Sequence, residues 1–262
     1  MTDVFRAQAG GVMSADIAVP QHDQEVQFYS SVLRSGENPL WREDLMSNIG
    51  VPVIGLGQRT PEYDDLPLQW MPHIQVADVA ASVERAGALG GRVLMHSKDD
   101  AGHSQWAVLM DPNGAAFGVI PVVPSEALPR LEGEAGSSAI GRIYWLDLTV
   151  PDADAARDFY REVVGWGVDE VAMRDGNESY ADYNMLGSDG TPAAGVCHAR
   201  GMNADLPPVW MLYLPVADIE ESLRRVEAGG GRIIKAVRDA QGSTRYAAVR
   251  DPVGACFALV PA

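Results

Sequence analysis

The chain has 262 residues, enough for two domains of about 130 residues that each bury a core. A formal net charge of −16 leaves no cationic footprint for nucleic acid or an anionic membrane, so neither is expected as a partner. Two cysteines, Cys197 and Cys256, are too few for a disulfide scaffold, and their apolar strand-like surroundings predict buried free thiols.

In chain order, the first element is Asp16-Ile-Ala-Val-Pro20, strand-like and ended by proline, followed by Phe28-Tyr29 on a predicted helix. Both recur 131 residues later, as Asp147-Leu-Thr-Val-Pro151 and Phe159-Tyr160. The stretch from Leu66 to Pro121 then recurs without a gap from Leu206 to Pro261, 140 residues on, with more than a third of the positions identical. Each copy opens on Leu-Pro-x-x-Trp-Met, runs through Val-Ala-Asp into a helical stretch, stops at Gly-Gly-Arg and closes on Asp-Pro-x-Gly-Ala-x-Phe. A repeat of that period means duplicated structure. The change of offset puts nine extra residues in the second copy, between about Gly165 and Ser188, in a stretch holding Tyr180, Tyr183 and Asn184. Inserted length of this kind maps to loops or longer hairpins.

Between the copies, residues 123–140 carry Pro124, Pro129 and a Gly-Ser-Ser run and read as a linker. The expected domains are 1–122 and 141–262. In the second copy the pattern predicts a strand over Ile143 to Val150 and a helix over 153–164 capped by Asp152 or Asp154. A strand over Val209 to Val216 and a helix capped by Asp218 and ended by Gly229 to Gly231 follow. Strands at about 232–236, 244–250 and 255–260 finish the copy, with Asp251-Pro-Val-Gly254 as the turn between the last two. The order is β-α-β-β-β, four times along the chain. The fold class is therefore α+β, with curved mixed sheets whose helices cover one face and leave the other to line a cavity. No leader of the secretory type and no apolar run of membrane-spanning length is present, which makes the cytoplasm the default location.

These motifs resemble the vicinal oxygen chelate superfamily, which includes glyoxalase I, bleomycin-resistance proteins and extradiol dioxygenases. The resemblance rests on the strand-Val-Pro-Asp-x-x-x-Ala-x-x-Phe-Tyr segment (Leu148 to Tyr160) and on the Asp-Pro-x-Gly-x-x-Phe ending of both copies. It implies tandem domains of paired βαβββ units. In metal-dependent members, by the same resemblance, a divalent ion is held by His on the first strand, His on the fifth and Glu on the last. Counted from the motifs, those places fall at Ser14 and Trp145, at Met71 and Met211, and at Gly118 and Ala258. None is an ordinary ligand for such an ion, so no metal and no other cofactor is expected.

Strand side chains alternate, so residues two away from the lost ligand places share the inward face. That gives Asp16, His73 and Gln75 in the first copy, and Asp147, Thr149 and Tyr213 in the second. Asp16, His73 and Asp147 are candidates for acid–base work, because a carboxylate facing a cavity is poised as a base or as a hydrogen-bond acceptor. A structural carboxylate bonded to backbone fits an acid kept in both copies equally well. Met71, Met211, Trp106, Trp145 and Tyr246 would add apolar and aromatic wall for a flat ligand, or would simply be core. No nucleophile elbow and no Cys-His pairing at a suggestive spacing is present, and Lys98 and Lys235 alone make Schiff-base chemistry a poor fit. Two functions follow: a protein that binds a small organic molecule without chemistry, or a lyase, isomerase or dioxygenase relative that works with little or no metal. The partner is a small molecule, and the chain is a monomer or a homodimer.

Overall fold

The computed structural model describes residues 6–34, 41–42, 45–46, 53–128 and 140–262. The expected linker lies largely outside them, at 129–139. The first copy runs β1 (Val12–Val19), α1 (His22–Val32), β2 (Trp41–Arg42), β3 (Leu45–Met46), β4 (Ile54–Gln58), β5 (Met71–Val76), α2 (Val79–Ala88), β6 (Arg92–Lys98), β7 (Ser104–Met110) and β8 (Ala116–Pro121). The second runs β9 (Trp145–Val150), α3 (Ala153–Val164), β10 (Gly167–Asp175), β11 (Glu178–Leu186), β12 (Pro192–His198), β13 (Trp210–Val216), α4 (Ile219–Ala228), β14 (Arg232–Arg238), β15 (Thr244–Arg250) and β16 (Cys256–Pro261). The hydrogen-bond orders are β2-β3-β4-β1-β5-β8-β7-β6 and β10-β11-β12-β9-β13-β16-β15-β14, two mixed sheets of eight strands. The nine extra residues lengthen the β10–β11 hairpin, which stays paired from Gly167↔Leu186 to Asp175↔Glu178.

The helices start where short acids can cap them. Asp152 accepts the Ala155 N–H at the head of α3, Asp78 accepts that of Ala81 at α2, and Asp218 that of Glu221 at α4. Each carboxylate satisfies an amide that the first helical turn leaves without a partner, a contribution of about 1 kcal/mol.

The chain condenses into two compact units, and neither is a single copy of the repeat. Unit 1 comprises Met1–Met13, Met71–Leu128 and Leu146–Trp210; unit 2 comprises Ser14–Trp70, Pro129–Trp145 and Met211–Ala262. The duplicated motifs explain the grouping, because they engage crosswise. In unit 1, Tyr160 of α3 donates to Asp111, the turn acid of the first copy, at 3.2 Å, and receives the Trp210 indole N–H at 2.9 Å. In unit 2, Tyr29 of α1 donates to Asp251, the turn acid of the second copy, at 2.9 Å and receives the Trp70 indole N–H at 2.9 Å. All six side chains are buried. The turn acids also bind their own backbone: Asp111 accepts the Asn113 and Ala115 N–H groups, and Asp251 those of Gly254 and Ala255.

The phenylalanine beside each tyrosine explains the Gly-Gly-Arg ending. A β-carbon on Gly231 would lie 3.0 Å from the Phe28 ring and 2.7 Å from the Arg250 carbonyl oxygen; one on Gly91 would lie 3.2 Å from the Phe159 ring and 2.9 Å from the Met110 carbonyl oxygen. Only glycine admits that approach. Helix pairs complete each unit: the Ser82 hydroxyl on α2 donates to the Val163 carbonyl of α3 at 2.7 Å, and Ser222 on α4 donates to Val32 of α1 at 2.8 Å.

Candidate functional site

In unit 1, Leu146, Leu148 and Val150 of β9 are buried to the last per cent, so alternation sends Asp147 and Thr149 to the opposite face. Asp147 pairs with Gly195 and Thr149 with Cys197 on the parallel neighbour β12. Glycine beside Asp147 leaves the carboxylate lateral space, and the residue is half-buried. The Cys197 thiol is pushed far above its usual range, first by burial and then by the carboxylates of Asp147 and Asp182. Asp182, on β11, is itself buried and accepts both the His198 backbone N–H at 2.8 Å and its ring Nδ1 at 3.2 Å. The Tyr180 ring stands edge-on to that imidazole, with centroids 5.5 Å apart, and the Arg200 guanidinium lies 4.4 Å above the Tyr180 ring. This face therefore carries the Asp147 carboxylate and the Cys197 thiol, and the next residue of β12, His198, has its imidazole anchored by Asp182.

Asp182 was not singled out from the sequence. Its only signal is position, in the lengthened hairpin that the second copy alone possesses.

The corresponding acid of unit 2 differs. Asp16 also pairs with a glycine, Gly55 of β4, but it is exposed rather than enclosed by apolar strand neighbours. The two aspartates therefore stand in different surroundings, Asp147 half-buried and Asp16 exposed. Trp145, the first residue of β9, is half-buried.

On β5 in unit 1, His73 pairs with Gly118 of β8. A β-carbon on Gly118 would lie 2.7 Å from His73 Cδ2, so the imidazole lies across the place that a residue-118 side chain would use. Gln75 is fully buried and engaged at both ends of its amide. Its nitrogen donates to the Arg6 carbonyl at 2.7 Å and the Gly11 carbonyl at 3.4 Å, and its oxygen accepts the Val123 N–H at 2.9 Å. Expected as a ligand contact, Gln75 instead clips three chain segments together, since a buried amide is stable only when its donors and acceptors are met. Met71 is buried and Trp106 is 38% exposed. On β13 in unit 2, Met211 and Tyr213 are buried, and the Tyr213 and Tyr246 ring centroids are 5.8 Å apart at 54°.

The divalent ion implied by the fold does not suit these residues. Thioethers stand at the fifth-strand places, and glycine and alanine at the last-strand places. The one glycine that a carboxylate would have to replace is overlain by His73. Among the described residues, no three His, Cys, Asp or Glu side chains converge as a metal-holding group. Also among them, no helix is long and apolar enough to cross a membrane.

Comparison with known proteins places this architecture. The model of the glyoxalase/bleomycin resistance protein/dioxygenase superfamily matches residues 142–259, and a glyoxalase-like domain model matches residues 13–120. The chain is 28% identical over 197 residues to "Putative glyoxylase CFP32" of Mycobacterium tuberculosis, covering 75% of this chain and 71% of that one. It is 30% identical over 196 residues to anthracycline biosynthesis protein DauV of a Streptomyces species, covering 74% and 66%. Among solved structures, a variant of homoprotocatechuate 2,3-dioxygenase from B. fuscum superposes with a TM-score of 0.59 at 16% identity, over 100% of this chain and 74% of that one. The two domain matches in tandem, which together take in most of the chain, show that it belongs to the glyoxalase/bleomycin resistance/dioxygenase superfamily.

Proposed function

We propose that the protein holds a small organic molecule against the inward faces of its sheets and does so without a divalent ion. The observation that carries this reading is the occupation of the ligand places: methionine at 71 and 211, and glycine at 118 beneath the His73 ring. A hard or borderline ion needs convergent carboxylate or imidazole donors, whereas thioether, phenol and indole groups suit an apolar or aromatic ligand. The relative named for anthracycline biosynthesis supports including flat aromatic molecules among the candidates. The test is a thermal-shift screen of the full chain against small aromatics and 2-oxoaldehydes, each run with and without a chelator. The reading predicts at least one stabilising ligand whose effect survives the chelator. A shift that appears only with added zinc, nickel, iron or manganese contradicts it.

A second reading, metal-independent acid–base catalysis, is supported by one observation. Asp182, on the lengthened β10–β11 hairpin, holds the His198 imidazole of the neighbouring strand β12 and, with Asp147, raises the Cys197 thiol. Of the three acid–base candidates, Asp147 fits best, because Asp16 is exposed and His73 is folded against Gly118. Turnover of a ligand from the screen, lost in Asp147→Asn while binding persists, would favour catalysis over binding alone.

A further inference from the structure

The inward face of β13–β16, which lies wholly in unit 2, differs in kind from its repeat counterpart in unit 1. Register fixes which side chains share it. Tyr213 pairs with Ala258, Ala258 with Ala248, Ala248 with Lys235, and Val237 with Tyr246. Directly paired residues point to the same side of a sheet, so Tyr213, Tyr246 and Lys235 stand together. The two alanines keep the face low beside the two phenols, whose ring centroids lie 5.8 Å apart. Arg250 pairs with Cys256 on one side and Arg232 on the other, which adds two guanidinium groups to the same face.

Charge sets this face apart. The chain carries −16 overall, and Lys235 is one of its two lysines. Yet the register positions of this face hold three cations and no carboxylate. The opposite face of β14 behaves normally: Arg238 pairs with Glu220 at 2.8 Å. Arg232 is exposed to solvent, but Lys235 and Arg250 are partly buried and, among the described residues, have no such ion pair; the buried Arg250 Nε has no hydrogen-bond partner. A partly buried cation without a counter-charge is unfavourable, and an anionic ligand would offset that. In unit 1 the equivalent places, 140 residues earlier, hold His73, Gly118, Val108, Trp106, Met95 and Met110, with Arg92 in the place of Arg232 as the one cation kept. The two methionines stand where Lys235 and Arg250 stand, so this feature belongs to one face only.

We infer that the β13–β16 face binds a flat aromatic carboxylate, with Tyr213 and Tyr246 against the ring and Lys235 and Arg250 at the carboxylate. The β5–β8 face lacks the means to do so. The inference deepens the proposed function and rests on it. Calorimetric titration of the full chain with 2-naphthoate and with neutral 2-naphthamide tests it, using Lys235→Met and Arg250→Met. Both variants install the residue already tolerated at Met95 and Met110. Lys98→Met, which removes the same charge elsewhere, is the control. The carboxylate is expected to bind about tenfold tighter than the amide, and the preference should fall below about threefold in Lys235→Met or Arg250→Met but persist in Lys98→Met. Equal binding of acid and amide would overturn the inference while leaving small-molecule binding intact. A preference untouched by both face variants, or lost equally in Lys98→Met, also overturns it. Absence of saturable binding by either probe overturns it too, and the ligand screen then decides the broader reading separately.

Discussion

Glu25 makes the stability of unit 2 depend on pH in a direction opposite to that of an ordinary acid. Its side chain is fully buried on α1, both carboxylate oxygens lack hydrogen-bond partners, and the Asp251 carboxylate stands beside it. Burial first, and then Asp251, pushes its pKa up to about 8 from an ordinary 4.5; burial raises Asp251 as well. The folded pair therefore holds a proton that the unfolded chain releases. Stability is fully present below about pH 4.5 and is lost as pH rises through 8, because over that window the native state binds more protons than the unfolded one. One pH unit is worth about 1.4 kcal/mol while the native state stays protonated, so raising the pH from 6 to 8 costs about 2 kcal/mol. For a chain of this size that lowers Tm by about 4–8 °C. Glu25→Gln keeps the shape and removes the titration. Glu25→Ala installs the residue found at the same place in the other copy, Ala156. The measurement is Tm by calorimetry at pH 6, 7 and 8 for wild type and Glu25→Gln. The expected result is a fall for wild type that the variant lacks, with the variant the more stable at pH 8. Parallel pH profiles for the two proteins would refute the reasoning.

Tyr29→Phe should destabilise by about 1–3 kcal/mol in denaturant titration, because it strips a partner from both Asp251 and the Trp70 indole; Tyr160→Phe should do the same through Asp111 and Trp210. A change below about 0.5 kcal/mol in both would show that the crosswise tyrosine–aspartate contacts do not hold the units together. Gly118→Glu restores a carboxylate at the last-strand place but must displace His73, so about 1–3 kcal/mol of stability should be lost, with part recovered in the His73→Ala background. Recovery of full stability in Gly118→Glu alone would mean that the ring is not seated there. Cys197 should resist iodoacetamide at pH 8 in the native protein, and Asp147→Asn should speed its labelling as followed by peptide mass spectrometry. Rapid native labelling would contradict the raised thiol.

The fold was legible because its signals are local and duplicated. The cap at Asp152 and the apolar spacing that follows it predict a helix over 153–164, and α3 occupies Ala153–Val164. The gapless repeat marks equivalent strands, and β13 to β16 fall within one or two residues of expectation. The repeat does not reveal which copies pack together. Phe28-Tyr29 and Phe159-Tyr160 each engage the turn of the other copy, a long-range choice that no window of sequence contains. The site was legible only as a list of places. Alternation puts Asp16 and Asp147 on equivalent faces, but what encloses each of them is tertiary, and Asp16 ends exposed. Gln75 carries no sequence mark of the three backbone partners that occupy it. Lys235 was visible as a rare lysine, but its face was not, because an irregularity between Ile233 and Lys235 shifts the register of β14. Asp182 and its hold on His198 required the β10–β11 hairpin to be paired before they could be seen.

The donor chemistry of the strand centres decides whether the protein holds a metal ion. Its most direct test is elemental analysis of the full chain purified from cells grown with added zinc, nickel, iron and manganese, before and after dialysis against a chelator. The account predicts metal far below one ion per chain and ligand-induced stabilisation unchanged by the chelator. One ion per chain that resists dialysis, and whose removal abolishes ligand binding, would contradict it.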